Sequence, residues 1–467
     1  MLKDEVVELD FAKGESDLLG QFAAVDTLLS TVEGLPPPAC VALYGAWGSG
    51  KTTVMHNAMR RCSERLWIPV WFAPWEYDRQ PDLLQPLLRA LLLEVRKRKG
   101  EDPDRWKAFK KQATAAFTAL AGLSIRVGFR TLLNATLGPV GEQAPVTARD
   151  MSAFDVERWL DGDDEPPDEV AAVKQRFKAL VDAALALASK DGVAPDDARV
   201  VFFLDDLDRC LPDQVVELIE GVKLLLCGAT GCRAVFVFAL DRQIVGEAIR
   251  HRFPGSTLYT GENYLEKIFD FSLEAPPVPL AGSAADEVSP GSLQRFVEQV
   301  ARGLPRTLDA ICQPFGGTSQ LYRALALPAF ANPRVIKRTL NRLHLLTSVE
   351  SRQAALAEMG DHETYHRYFV WVAGAERFRQ FRHFIRRASR GELDALLSMT
   401  RDEPRGWRSP EIEQLAAAPG FRDYIRSLGL RTPNPAVPEM EAWSSYDPKR
   451  HKHTLRWLDD SMRSAGV

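Results

Sequence analysis

Apolar residues fall along this chain in two rhythms, short unbroken runs and longer stretches that repeat every three or four positions. The short runs Cys40–Tyr44, Trp67–Phe72, Val200–Leu204 and Ala234–Leu240 read as strands, and Phe269–Leu273 as a fifth. Strands this apolar on both faces belong in a parallel sheet covered by helices. Helical spacing fills the gaps at 15–33, 82–98, 170–189 and 212–226. Pro86 falls in the first turn of the second of these, where a missing amide does no harm. Gly34-Leu35-Pro36-Pro37-Pro38 ends the first helix and sets up the first strand. From about residue 290 the strand signal fades. Residues 292–301, 317–326, 333–346 and 376–388 carry helical spacing, and seven prolines from Pro404 to Pro448 break up the tail. The pattern predicts an α/β core over 1–275 with a central parallel sheet flanked by helices. A helical lid over 276–350 and a helical C-terminal domain over 351–467 are expected to follow.

One stretch interrupts the alternation, a helical insert at 105–195. Its apolar middle, Ala115–Ile125, meets Arg126 and Arg130, too soon for the uncharged run that a bilayer crossing needs. A buried or amphipathic helical hairpin is expected, with peripheral membrane contact as the alternative and no transmembrane span. The acidic run Asp161–Glu169 reads as a solvated loop.

Composition changes little. The 467 residues exceed one ordinary core. A net charge of −4 gives no global field toward nucleic acid, so any such contact needs a local patch. The six cysteines are scattered and read as reduced thiols, not a zinc site. Met1-Leu2-Lys3-Asp4-Glu5 lacks a signal peptide's apolar core, so a cytoplasmic protein is expected.

The chemistry begins after the first strand, at Gly45-Ala46-Trp47-Gly48-Ser49-Gly50-Lys51-Thr52-Thr53. A strand, a glycine-rich turn, Lys-Thr and then a helix is the context of a phosphate loop. The glycines let successive amides of Gly45, Trp47, Gly48, Ser49 and Gly50 point at an anion, and the helix start adds donors. Lys51 would reach the β- and γ-phosphates of ATP, Thr52 would hold Mg²⁺, and Thr53 completes the binding run. The strand ending in Asp205-Asp206-Leu207-Asp208-Arg209 supplies the second half. Asp205 is the metal candidate, and Asp206 or Asp208 would activate water; spacing does not choose between them. Arg209 and Arg242 lie at sheet ends, facing phosphates or pairing with neighbouring acids.

These segments resemble the KAP-type P-loop NTPases, a branch near the STAND ATPases and the AAA-like proteins. The resembling runs are Gly45–Thr52, Phe72-Ala73-Pro74-Trp75-Glu76-Tyr77, Phe203–Cys210 and Asn332-Pro333-Arg334-Val335-Ile336-Lys337-Arg338, with Ala239–Arg242 and Tyr264–Phe269 in support. The resemblance implies a sheet of the additional-strand type, with the Asp205 strand between the phosphate-loop strand and the Trp71 strand. It also implies that Arg334, Lys337 or Arg338 on the lid senses the γ-phosphate; a solvated basic helix face is the alternative. Many relatives place two membrane spans where this chain carries its arginine-interrupted insert.

Three functions fit such a site. A switch driven by ATP hydrolysis, controlling self-assembly or a protein partner, is what the resemblance favours, with bacterial members linked to phage exclusion. A nucleic-acid-dependent ATPase would use the Glu376–Arg390 run, whose arginines, Arg377 to Arg390, interleave with aromatics. The plainer reading of that run is an amphipathic helix that packs Phe378, Phe381, Phe384 and Ile385. A small-molecule kinase is disfavoured for want of an acceptor pocket.

Overall fold

Five parallel strands form one sheet in the order β2-β3-β4-β1-β5: β1 is Ala39–Tyr44, β2 Ile68–Phe72, β3 Val200–Leu204, β4 Ala234–Leu240 and β5 Phe271–Glu274. The computed structural model describes residues 2, 19–77, 80, 82–98, 102–126, 169–189, 194–252, 261–276, 292–315, 317–330, 332–348, 362–387, 392, 410–418, 420, 421, 424, 425 and 428. The chain divides into two compact units. One holds Phe22–Ala275; the other holds the residues from Pro276 onward, with Leu2 and Leu19.

In the first unit every residue of β1, β3 and β4 is buried, as their continuous apolar runs require. β3 lies between β2 and β4, and β4 separates it from β1. The sheet is therefore of the additional-strand type. Register aligns Leu204 with Phe238 and Tyr44 with Leu240, so the carboxyl ends of the three central strands share one edge. Pro69 sits inside β2 without breaking it. Ile68 directs its amide to the Arg199 carbonyl before β3, so by alternation Pro69 turns its nitrogen to the open side of an edge strand. β5 starts at Phe271, two residues later than its pattern suggests. Phe269 instead packs its ring edge-on to Phe238 at 5.3 Å.

Helices cover the sheet. α1 is Gln21–Gly34, α2 Lys51–Arg61, α3 Leu84–Lys97, α4 Pro103–Arg126, α5 Glu169–Ala188, α6 Pro212–Gly221, α7 Arg242–Arg252 and α8 Gly261–Ile268. α4 and α5 belong to the insert and pack against each other through Phe109, Ala113, Ala116 and Leu120 with Val173, Phe177, Val181 and Ala184. Phe177 also lies tilted over Phe202 and Phe236, which stack at 4.6 Å. Arg130 and the acidic run up to Asp168 lie outside the described residues. Among the described residues no helix is long and apolar enough to cross a membrane.

Two buried details fix this frame. Arg199 donates its guanidinium to the Val32 and Leu35 carbonyls at the end of α1, meeting acceptors that the helix leaves open. Cys40 and Cys227, far apart in sequence, bring their sulfurs to 3.0 Å as free thiols.

The second unit is helical: α9 Ser292–Ala301, α10 Leu308–Cys312, α11 Ser319–Leu325, α12 Pro333–Thr347, α13 His362–Arg377, α14 Arg379–Arg387 and α15 Pro410–Ala417. The Asn-Pro-Arg run has a local explanation. Asn332 caps α12, its side chain accepting from the Arg334 and Val335 amides, with Pro333 at the first helical position. Ile336, Leu340 and Leu343 of α12 share a core with Trp371, Phe381 and Tyr424, so the segments read as lid and tail have common packing. The helix expected at 376–388 is broken at Phe378. That ring is drawn into an aromatic cluster with Phe421 at 5.3 Å and Tyr424 at 4.9 Å.

α7 and α8 cross at a pair of glycines: a Cβ on Gly261 would come within 2.6 Å of Gly246 Cα. The obstacle is backbone, which cannot swing aside. Gly261→Ala is expected to cost about 2 kcal/mol, read as a lower urea midpoint at unchanged slope.

Candidate functional site

The carboxyl ends of β1, β3 and β4 hold the candidate residues of the first unit. Leaving β1, Gly45 donates its amide to the Leu240 carbonyl at 3.1 Å, so the loop is fastened to β4 as it begins. Ser49 N–H returns to the Ala46 carbonyl at 3.0 Å. Gly48 and Gly50 take φ of 86° and 101°, a region side chains disfavour. At Gly45 space is tight instead: a Cβ there would meet Ser49 Oγ at 2.5 Å and Ala275 Cβ at 3.0 Å, so the serine side chain would have to turn. Gly50 then caps α2, whose first three residues are Lys51, Thr52 and Thr53.

Lys51 is buried, and its Nζ donates to the Gly45 carbonyl at 2.8 Å and the Ala46 carbonyl at 3.3 Å. The ammonium thus lies within the curl of its own loop. The Thr52 hydroxyl donates to Asp205 Oδ2 at 2.6 Å, joining the loop to the end of β3. Asp205 is buried and held by its own amide, which donates to the Phe72 carbonyl. Thr53 is buried, its carbonyl accepting from Asn57. Trp47 is exposed, and its amide donates to Asp241 Oδ2 at 3.2 Å.

The two acids left open by the sequence differ here. Asp206 takes a left-handed φ of 58° and pairs with Arg209 at 2.8 Å. Arg209 in turn lies over the Trp75 ring at 5.3 Å. Asp208 has its carboxyl pKa raised, chiefly by burial; Lys51 opposes this, Asp205 adds to it, and Arg209 and Asp241 make smaller contributions of opposite sign. Asp208 therefore feels the loop lysine and the metal candidate together. Arg242 pairs with Glu274 at 3.1 Å and covers the Tyr44 ring.

Chemistry of a magnesium nucleotide fits these residues. Ser49 Oγ is buried with no hydrogen-bond partner, an open polar position inside the loop. Among the described residues no group of three or more His, Cys, Asp or Glu could hold a metal alone. Magnesium needs no such cage, since one or two protein oxygens plus phosphate oxygens suffice. Thr52 and Asp205 are the oxygens suited to it.

Arg334, Lys337 and Arg338 lie on α12 of the other unit and are candidates by resemblance alone. In the basic run, Phe378, Phe381 and Phe384 are buried, which removes them as stacking platforms for bases. Glu376 is half-buried, its side chain enclosed, and pairs with Arg342. Asp241 was not among the site residues expected; its place at the end of an apolar strand was the signal available.

A parallel sheet of this order, with a glycine loop on β1 and a carboxylate on β3 meeting the loop's threonine, defines a P-loop NTPase. The chain belongs to the KAP family, whose P-loop domain model matches residues 22–349; membership implies nucleotide binding. It is 24% identical over 329 residues to the phage T7 exclusion protein of Escherichia coli (strain K12), a match covering 66% of this chain and 38% of that protein. It thus spans well under half of that relative. A solved structure of the Aeropyrum pernix ORC2 protein (ADPNP-ADP complexes) aligns with 98% of this chain and 95% of its own at 13% identity. Its TM-score is 0.30, too low to carry an argument.

The raised carboxyl of Asp208 has a sign that can be checked without ligand. A carboxylate with a higher pKa folded than unfolded destabilises when ionised, and that penalty fades as pH falls through the folded pKa. Asp208→Asn should raise unfolding stability at neutral pH, and the gain should shrink in mildly acidic buffer.

Proposed function

We propose that the chain is a magnesium-dependent ATPase that works as a nucleotide-driven conformational switch in defence against phage. One observation carries the chemical part: the Thr52 hydroxyl meets the Asp205 carboxylate beside the buried Lys51. That bond brings loop and acidic strand end together, which supports a shared triphosphate. The defence role draws on the exclusion of phage T7 named for the Escherichia coli relative.

Roles follow from the chemistry of each side chain. The loop amides and Lys51 bind and orient the β- and γ-phosphates. Thr52 and Asp205 would hold Mg²⁺, which would neutralise charge building on the phosphate oxygens. Asp208, not Asp206, accepts the proton of the attacking water. Burial raises the pKa of Asp208, which suits a base, and the Asp206 carboxylate is engaged by Arg209. Arg334 on α12 would report the γ-phosphate to the helical unit, through a guanidinium fork that suits phosphate oxygens. A protein partner or a second copy of the chain would receive the change.

Hydrolysis of ATP and GTP by the purified protein, with and without DNA or RNA and alongside its size in solution, tests this reading. Phosphate should be released from ATP with magnesium, without need of nucleic acid; steep stimulation by DNA, lost with salt, would replace the switch. Lys51→Ala should lower turnover at least about a hundredfold with the fold retained, and Asp205→Ala should lose magnesium-dependent hydrolysis. The acid limb of the pH–rate profile should be shifted upward from that of an ordinary aspartate, because Asp208 must be ionised to act and burial raises its pKa. In Asp208→Asn that limb should disappear along with most of the rate.

A further inference from the structure

Between Arg377 and Arg387 the chain carries five arginines and neither an acid nor a lysine. Most of that stretch is α14, Arg379–Arg387. Phe381 and Phe384 commit one side of the helix to the core of the second unit, together with Phe378 just before it. Gln380, His383 and Arg387 are exposed. At 3.6 residues per turn, positions 379, 383, 386 and 387 fall within about 100° of one another around the helix axis, opposite Phe381. The aromatic side is thus used up inside the protein, and the arginine positions lie on the other.

We propose that the arginine side of α14 is a docking surface for the phosphate backbone of nucleic acid, held by charge and without readout of sequence. Charge complementarity carries the assignment. A net charge of −4 gives the whole chain no attraction to a polyanion, so five positive charges within eleven residues are a concentrated exception. All five are arginine, whose planar fork matches phosphate oxygens in pairs. The buried rings decide what kind of contact is left. With Phe381 and Phe384 in the core, neither can stack on a base, and contacts to phosphate alone carry no sequence information. The same burial argues against a lipid surface, because a helix lying on a membrane needs its apolar side free to enter the acyl boundary. Docking through α14 belongs to the helical unit and does not rest on the chemistry at Lys51. It adds to the switch a place where the protein is held.

The test follows binding of the full chain to fluorescent DNA duplexes of two unrelated sequences, by anisotropy across a salt series, beside phosphatidylserine vesicles and polyglutamate. Three variants are compared with the native protein. One is Arg379→Gln/Arg386→Gln/Arg387→Gln, and the second is His383→Arg. The third, Lys107→Gln/Lys110→Gln/Lys111→Gln, removes as much charge from exposed positions on α4 of the other unit. Both duplexes should bind alike, log affinity falling against log salt with a slope of about −3, as for about three neutralised phosphates. The arginine variant should lose at least about tenfold in low salt and most of the slope, while the lysine variant stays within about twofold of native. His383→Arg puts a further guanidinium on the same side and should steepen the slope by about one. That gain decides the question if the arginine variant does not fold. Duplex binding that the arginine variant keeps, or that His383→Arg fails to strengthen, overturns the surface, as does a preference for one sequence. Failure of both duplexes to bind overturns it too, and binding to the vesicles or to polyglutamate then assigns α14 to a lipid or to an acidic protein instead.

Discussion

The hydrogen bond from Thr52 to Asp205 spans a strand that belongs to neither partner. β1 and β3 are separated by β4, which places the two strands about 10 Å apart. The gap is closed because α2 starts immediately after the loop and carries its hydroxyl over the end of β4. Register makes this reach work. Tyr44 lies level with Leu240, and Leu204 with Phe238, so β4 continues past β3 and gives Gly45 a carbonyl to hold. A slip of one residue in either pairing would turn every buried side chain of a strand to the opposite face. The apolar packing of the sheet thus fixes the position of a polar bond at its rim.

Around that bond several acidic side chains gather. Asp205 and Asp241 both raise the carboxyl pKa of Asp208, while the Lys51 ammonium and Arg209 lower it. Part of the load is drawn off sideways, where Asp206 adopts a left-handed backbone and meets Arg209 on the Trp75 ring. Strain of this kind persists only where surrounding structure enforces it. Here the enforcing structure is β3, whose last apolar residue, Leu204, is followed by a short turn that buries Leu207. The sequence Asp-Asp-Leu-Asp-Arg is therefore one apolar anchor with three acids aimed in different directions.

Much of this was legible before any coordinates. Runs such as Val200–Leu204 and Ala234–Leu240 have little alternative to a buried parallel strand, and the order of the sheet follows the family resemblance. The glycine loop announces itself because few other settings ask for glycine at both position 48 and position 50. What stayed hidden depended on contacts distant in sequence. Asp206 and Asp208 look alike as letters; burial and the partner Arg209 separate them. Asp241 reads as a strand end until the Trp47 amide arrives from 194 residues away. The break at Phe378 was equally invisible, because helical spacing continues through it and only the aromatic cluster of the second unit pulls the chain out of line.

Proline 69 gives the sheet two unlike margins. On the β2 side its ring stands where an incoming chain would look for an amide, which removes one donor from that margin. β5, on the opposite side, has no proline, and most of its four residues are exposed. Among the described residues, a borrowed strand would therefore find one amide fewer at β2.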